Sequence, residues 1–403
     1  MTAAPAPDYV CPPELLVGLR DVSNDTDLNV TEPLEDWTVR REPGVWQLLG
    51  SVVDALWFCP LAWPKSVLGT LRSMKPVRFS EYDLFWQLAL FLTDALVPSL
   101  PIEAPTWVRP PFSRLFFHHS GELKPPEGSL PTEPVEGEQW FFINGILTNK
   151  DVARMNAAYL VDLFHRPIRI LWNSTDGFIV DLAECASEKL GARDADVDMA
   201  FHPLLDAIAD PKKKRVVVIA HSQGTLITAV VLRLIKAVYL RTMTGTRGEL
   251  SDADREAIRQ RAADEGLTVR PNLLKPVGPE DLAALEVYCF ANCATEMNYV
   301  DERLSLPRIE SFGNEHDLVA RLGMLAPDPD KQRIEISGAR FRHDGAWGHL
   351  LNAHYLIDID RAQRHRLHAV TPKAEPYVLI EGSAPPGTVP RLFDYLNGAC
   401  AIG

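Results

Sequence analysis

The chain has 403 residues, 46% of them hydrophobic, which is ample for a buried core. Asp and Glu number 54 against 41 Lys and Arg, a formal charge of −13. That balance argues against a nucleic-acid partner and gives no global attraction to anionic lipid headgroups. The six cysteines are scattered, form no CxxC and lie at no zinc-ligand spacing, so no metal is expected and a reducing cytoplasm fits best.

The amino terminus has no basic stretch followed by an apolar run, so no secretory signal is expected. Residues 1–135 hold Trp37, Trp46, Trp57, Trp63, Trp86 and Trp107, six of the nine tryptophans. Two helices are predicted there, over 45–59 and 80–97. Gln47, Ser51 and Asp54 form one narrow polar stripe, and Asp83, Gln87 and Asp94 form the other. Helices apolar over most of their circumference must be buried in protein or lie in a lipid interface. Packing against the body of the protein and peripheral membrane contact are thus the two readings of this mostly helical extension. Pro60, Pro64, Pro98 and Pro101 interrupt it too often for a bilayer span. Residues 109–134, rich in proline and glycine, read as a linker.

From residue 136 strand and helix patterns alternate. A strand at 139–143 ends in Asn144-Gly145-Ile146 and leads into a helix over 149–164. A strand at 168–172 follows, then helices over 178–190 and 201–209. Lys212-Lys213-Lys214-Arg215 reads as a solvated strand start rather than a phosphate site. Next comes the apolar strand Val216-Val217-Val218-Ile219-Ala220, running through His221-Ser222-Gln223-Gly224 into a helix to residue 240. Residues 241–279 break the alternation. Ser251 looks like the cap of a charged helix running through Ala263, in a solvated insertion that could cover the site. Strands are predicted again at 285–293, 308–313 and 333–336, and residues 371–403 read as an irregular tail. Together these elements predict an α/β core over 136–370, with a mostly parallel sheet flanked by helices.

A strand that turns sharply into a helix through Ala-x-Ser-x-Gly holds its serine on a strained elbow with the hydroxyl exposed. The helix N-terminus behind it favours developing negative charge. Serine needs a histidine base and an acid to orient that base, and in an open sheet these lie just past the carboxyl ends of strands. Asp317 follows the strand at 308–313 and is the leading acid, with Glu315 and Glu310 as rivals. His349 follows Gly348 at the start of the last helix and is the leading base. His354 is the alternative, with His343 and His316 behind it. His221 reads as a packing residue or shape-setter. The oxyanion would be received by the backbone N–H groups of Gln223 and Ile146.

The elbow at Ser222, the order Ser222, Asp317, His349 and the early Asn144-Gly145 loop together resemble the α/β-hydrolase superfamily over residues 139–360. Serine among apolar flanks is similar to its lipase- and esterase-type members. Ala220 stands where the first elbow glycine is usual, and Asn144 where many members have histidine. The resemblance implies an eight-stranded sheet with atypical first strands and a serine hydrolase without metal or cofactor. Its substrate would be a small-molecule or lipid ester, with the lipid preference drawn from the tryptophan-rich extension. A non-catalytic lipid- or protein-binding module of the same fold, and an acyltransferase using the same triad, are the rival readings.

Overall fold

The structure, a computed structural model, describes residues 121–123, 135–145, 148, 150–173, 195–239, 250–274, 276–360 and 376–400. The predicted helices at 45–59, 80–97 and 178–190, the six amino-terminal tryptophans and the oxyanion candidate Ile146 lie outside the described residues.

Ten strands are described: β1 (Gly121–Leu123), β2 (Glu138–Ile143), β3 (Ile168–Trp172), β4 (Arg215–His221), β5 (Leu285–Phe290), β6 (Glu296–Met297), β7 (Arg308–Asn314), β8 (Glu335–Ile336), β9 (Ala339–His343) and β10 (Val378–Leu379). Eight of them form one sheet in the order β1-β3-β2-β4-β5-β7-β9-β10. The six central strands are parallel, and β1 and β10 close the two edges antiparallel. The interior strands β2, β4 and β5 read as almost unbroken apolar runs because both faces are covered. Phe141, Ile143, Val216, Val218, Val287 and Cys289 pack on one face, with residues of helices α2 (Ala195–Ile208), α3 (Gln223–Tyr239) and α4 (Asp252–Asp264). On the other face Phe142, Val217, Ile219, Phe290 and Phe312 pack with helix α1 (Lys150–Phe164) and the carboxy-terminal elements.

The chain leaves β2, builds β3 on one side, then crosses to build β4 on the other side of β2. That reversal opens a crevice above the carboxyl ends of β2 and β4, the usual place for a ligand in an open α/β sheet. Ser222 follows β4 and Gly145 follows β2.

Five sequence expectations need correction. Residues 121–123, inside the stretch expected to be a linker ahead of the core, form the edge strand β1 and pair with β3. The strand expected at 333–336 shortens to β8 and pairs with β6 in a separate two-stranded sheet. The last parallel strand is β9, whose Arg340 and Arg342 interrupt its apolar residues, so its sequence looks less like a buried strand than the preceding Arg-Ile-Glu-Ile does. The insertion helix α4 does form from its Ser251–Asp254 capping box. It packs against the far half of α3, where Arg261 Nε donates to the Val238 carbonyl at 2.8 Å, roughly 20 Å along the helix from Ser222. The described part of the insertion therefore does not cover the serine.

Arg215 is not solvated but fully buried at the amino end of β4. It donates to Glu138 Oε1 at 3.1 Å and lies 3.6 Å from Glu286 Oε1. Arg166 Nε donates to Glu138 Oε2 at 2.6 Å, and Arg391 Nε to Glu286 Oε1 at 3.2 Å.

The tail at 371–403 is also not an irregular appendage in its described part. Residues 378–379 supply the edge strand β10, and a 3-10 segment, Arg391–Gly398, buries Leu392 and Tyr395 against the sheet. Tyr395 donates to Glu286, the Arg391 and Leu392 backbone N–H groups donate to Glu310, and Arg166 reaches the Gly398 carbonyl. Three arginines, Arg166, Arg215 and Arg391, thus meet three glutamates, Glu138, Glu286 and Glu310, at the amino ends of the strands.

Candidate active site

The serine sits where strand geometry ends and helix geometry has not begun. Ser222 has φ of 55°, a left-handed backbone that a non-glycine residue adopts only when its surroundings enforce it. The enforcing contacts are local. The Ser222 N–H donates to the Phe290 carbonyl of β5 at 3.0 Å, and its carbonyl accepts from Thr225 N and Thr225 Oγ1 at 2.9 and 2.7 Å. Gly224 is required because a Cβ there would lie 2.4 Å from the Ile143 carbonyl of β2. The same closeness holds at Gly145, where an added Cβ would lie 2.4 Å from Ser222 Cβ. The loop after β2 and the elbow are therefore in contact across the crevice.

Asp317 is carried just past β7 and caps the short helix Leu318–Arg321, accepting from Val319 N at 2.8 Å. His349 lies in the loop between β9 and a π-helical turn, Leu351–Leu356. Its Nε2 is 2.9 Å from Ser222 Oγ, and its Nδ1 is 2.9 Å from Asp317 Oδ2 and 3.2 Å from Oδ1. Gly348, at φ of +96°, makes the turn before it, and a Cβ there would strike the His354 ring. The structure therefore brings together the serine, the acid and the leading base named from sequence.

The rival residues are held elsewhere. His354 is buried with its Nδ1 accepting the Leu350 N–H at 2.9 Å, and burial lowers its pKa to about 4. Glu315 accepts from Gly345 N, and Glu310 lies among the buried charges at the opposite end of the strands. His343 ends β9 beside Asp358 instead of sitting in a loop, and His316 stacks on Trp347 with ring centroids 4.0 Å apart.

Asp317 is fully buried, which by itself would raise its pKa. The His349 charge and the hydrogen bonds from His349, Tyr355 and Val319 outweigh burial and hold the carboxyl below its usual value. Tyr355 was not legible from sequence. Its hydroxyl donates to Asp317 Oδ2 at 2.6 Å and accepts from Asn314 N at 3.2 Å. The only signal is its position six residues after His349, which gives no hint of the contact.

On the oxyanion side Gln223 opens α3, so its N–H has no acceptor within the helix. Its side chain accepts from Asn173 Nδ2 at 2.7 Å. Asn144 in turn bonds both the N–H and the carbonyl of Asn173. These amides tie together the ends of β2, β3 and β4, and sequence reading did not anticipate Asn173. Among the described residues no group of three or more His, Cys, Asp or Glu side chains could hold a metal ion. Among them also, no helix is long and apolar enough to cross a membrane.

No protein-family model matches the chain, and no curated protein matches it in sequence.

Proposed function

We propose that this chain is a serine hydrolase of the α/β-hydrolase type that cleaves carboxylic esters through an acyl-enzyme. The observation that carries the reading is the unbroken line from Asp317 through His349 to Ser222, with both links at 2.9 Å. A buried carboxylate behind an imidazole, and a serine in front of it at a helix N-terminus, is an arrangement suited to nucleophilic acyl transfer. The strand order supports the fold reading, since nucleophile, acid and base follow β4, β7 and β9 in a parallel sheet with an antiparallel strand at its edge.

In the first half-reaction Ser222 Oγ bonds to the ester carbonyl carbon while its proton passes to His349 Nε2. The imidazolium is stabilised by Asp317, and the oxyanion by the Gln223 N–H. Collapse breaks the bond to the alcohol, which leaves with the proton from His349. Water then attacks the acyl carbonyl with His349 as base, releasing the acid and restoring Ser222. The tryptophan-rich residues 1–135 support a lipid-like acyl group and peripheral contact with a membrane from the cytoplasmic side.

Wild type and Ser222→Ala compared on acyl esters of increasing chain length test both parts. The reading expects turnover in wild type alone, rising with acyl length. Equal turnover by both proteins rules out the serine, and a preference for acetyl esters removes the lipid part.

A further inference from the structure

His221 precedes the nucleophile at the end of β4 and takes no part in the proton path described above. It is nonetheless built into the site. Its side chain is buried, and its Nε2 lies 2.8 Å from the backbone carbonyl of His349. A carbonyl oxygen only accepts, so Nε2 carries the proton and Nδ1 is bare. Among the described residues Nδ1 has no hydrogen-bond partner, so the polar contact they give the ring is the one to the base. The two imidazoles pack against each other in a tilted arrangement, with centroids 4.8 Å apart and planes 31° from parallel, and the Tyr355 ring meets His221 edge-on at 6.3 Å.

We propose that His221 is a positioning residue for the base, a neutral clamp that fixes the His349 backbone to the nucleophile's own strand. His349 sits in a loop after Gly348, whose backbone alone would not hold a ring to within a hydrogen bond of Ser222. Three groups restrain that ring or its backbone: Asp317 at Nδ1, Ser222 at Nε2 and His221 at the carbonyl. The last is independent of the reacting atoms, as are the bonds from Asn314 Nδ2 to the Gly348 carbonyl and from Leu350 N to His354 Nδ1 on either side of it. It alone ties the His349 backbone to the strand that carries Ser222, and it persists when the proton moves. The clamp also has to stay uncharged, because it faces the imidazolium that forms on His349. Burial does this, with the neighbouring His349 adding to it, and lowers the His221 pKa to about 3. Asp317 and His354, the other ionisable groups that act on the ring, respectively oppose and reinforce that shift. A bystander role predicts that any well-packed apolar replacement works equally well, whereas a clamp requires a donor at the Nε2 position.

The inference rests on the serine-hydrolase reading, and its test separates the two. Fluorophosphonate labelling and p-nitrophenyl ester turnover of wild type assess the hydrolase itself. His221→Leu and His221→Gln then assess the clamp, since a glutamine amide nitrogen can sit where Nε2 sits. The clamp predicts a drop in kcat of about 100-fold for the leucine variant with KM changed by less than about threefold, the loss expected when a catalytic group drifts by an ångström. It predicts glutamine within about tenfold of wild type. Full activity in His221→Leu overturns it, and so does an equal loss in both variants. Nitrogen-15 spectra of the imidazoles give a readout that needs neither turnover nor a variant that folds. His221 should remain one neutral Nε2–H tautomer down to about pH 4, and an Nδ1–H tautomer or a ring that titrates above pH 5 overturns the clamp.

Discussion

The two ends of the central sheet both bury charge, and they use it in opposite ways. At the amino ends of β2, β4, β5 and β7, Glu138, Arg215, Glu286 and Glu310 meet Arg166 and Arg391 in a closed set of ion pairs and hydrogen bonds. At the carboxyl ends Asp317 is buried, but the line it begins runs outward through His349, whose side chain is 28% exposed. The first arrangement locks strands and the carboxy-terminal segment together. The second leaves one proton a route between a serine and an imidazole. Burial of charge is thus not a mark of chemistry by itself, and the distinguishing feature is that this line of hydrogen bonds ends at the Ser222 hydroxyl.

The comparison breaks first at the serine. Ser222→Ala should cut ester turnover about 10⁴-fold or more, with circular dichroism and melting temperature almost unchanged, because only the carboxyl end is touched. Asp317→Asn should cost a similar factor, about 10⁴, by losing the acceptor that holds the His349 tautomer. At the other end the pattern inverts. Arg215→Met leaves Glu138 and Glu286 short of a buried partner and should destabilise the fold by about 3–5 kcal/mol in urea unfolding. The kcat of the folded fraction should not change. If that variant loses turnover without losing stability, the division between the ends is wrong.

Acid and base should also separate the two ends. Burial raises Glu310 from 4.5 to about 7, so the folded state holds a proton that the unfolded state has lost. Stability from this group is present below about pH 4.5 and is lost as pH rises through about 7, a change of about 3 kcal/mol at about 1.4 per pH unit. His221 and His354 act with the opposite sign. Their folded pKa values, about 3 and about 4, lie below the ordinary 6.5, so they contribute stability above about pH 6.5 that is lost as pH falls. Urea midpoints across pH 4–8 should flatten at the alkaline side in Glu310→Gln and at the acidic side in His354→Asn. The smallest effect expected is from Tyr355→Phe. Removing its 2.6 Å bond to Asp317 should raise the carboxyl pKa and lower kcat about 10-fold, measured as a shift of the acidic limb of the pH–rate profile to higher pH.

The elbow was legible because its signals are local. Seven residues of β4 are buried, α3 begins directly after Ser222, and Gly224 stands where the backbone of β2 leaves no room for a side chain. Asp317 was legible for a related reason, as it follows its strand by a few residues, and His349 because it follows Gly348 where the last predicted helix begins. What was missed depends on distant partners. β9 carries two arginines among its five residues, so its strand character comes from pairing with β7 and β10. Arg215 looked solvated beside three lysines, yet its partners are 77 and 71 residues away, at Glu138 and Glu286. Residues 391–398 are held by Glu286 and Glu310, 81 or more residues earlier in the chain, which their own sequence does not reveal. The Tyr355 contact depends on a π-helical turn, which periodicity at 3.6 residues does not anticipate.

The most direct test of the account is labelling by a fluorophosphonate probe at neutral pH in wild type, His349→Ala and His354→Ala. A serine activated along the line Asp317–His349–Ser222 predicts stoichiometric labelling of Ser222 in wild type and its loss in His349→Ala. In folded His354→Ala labelling should be retained. No labelling of wild type, or loss in His354→Ala with retention in His349→Ala, would contradict it.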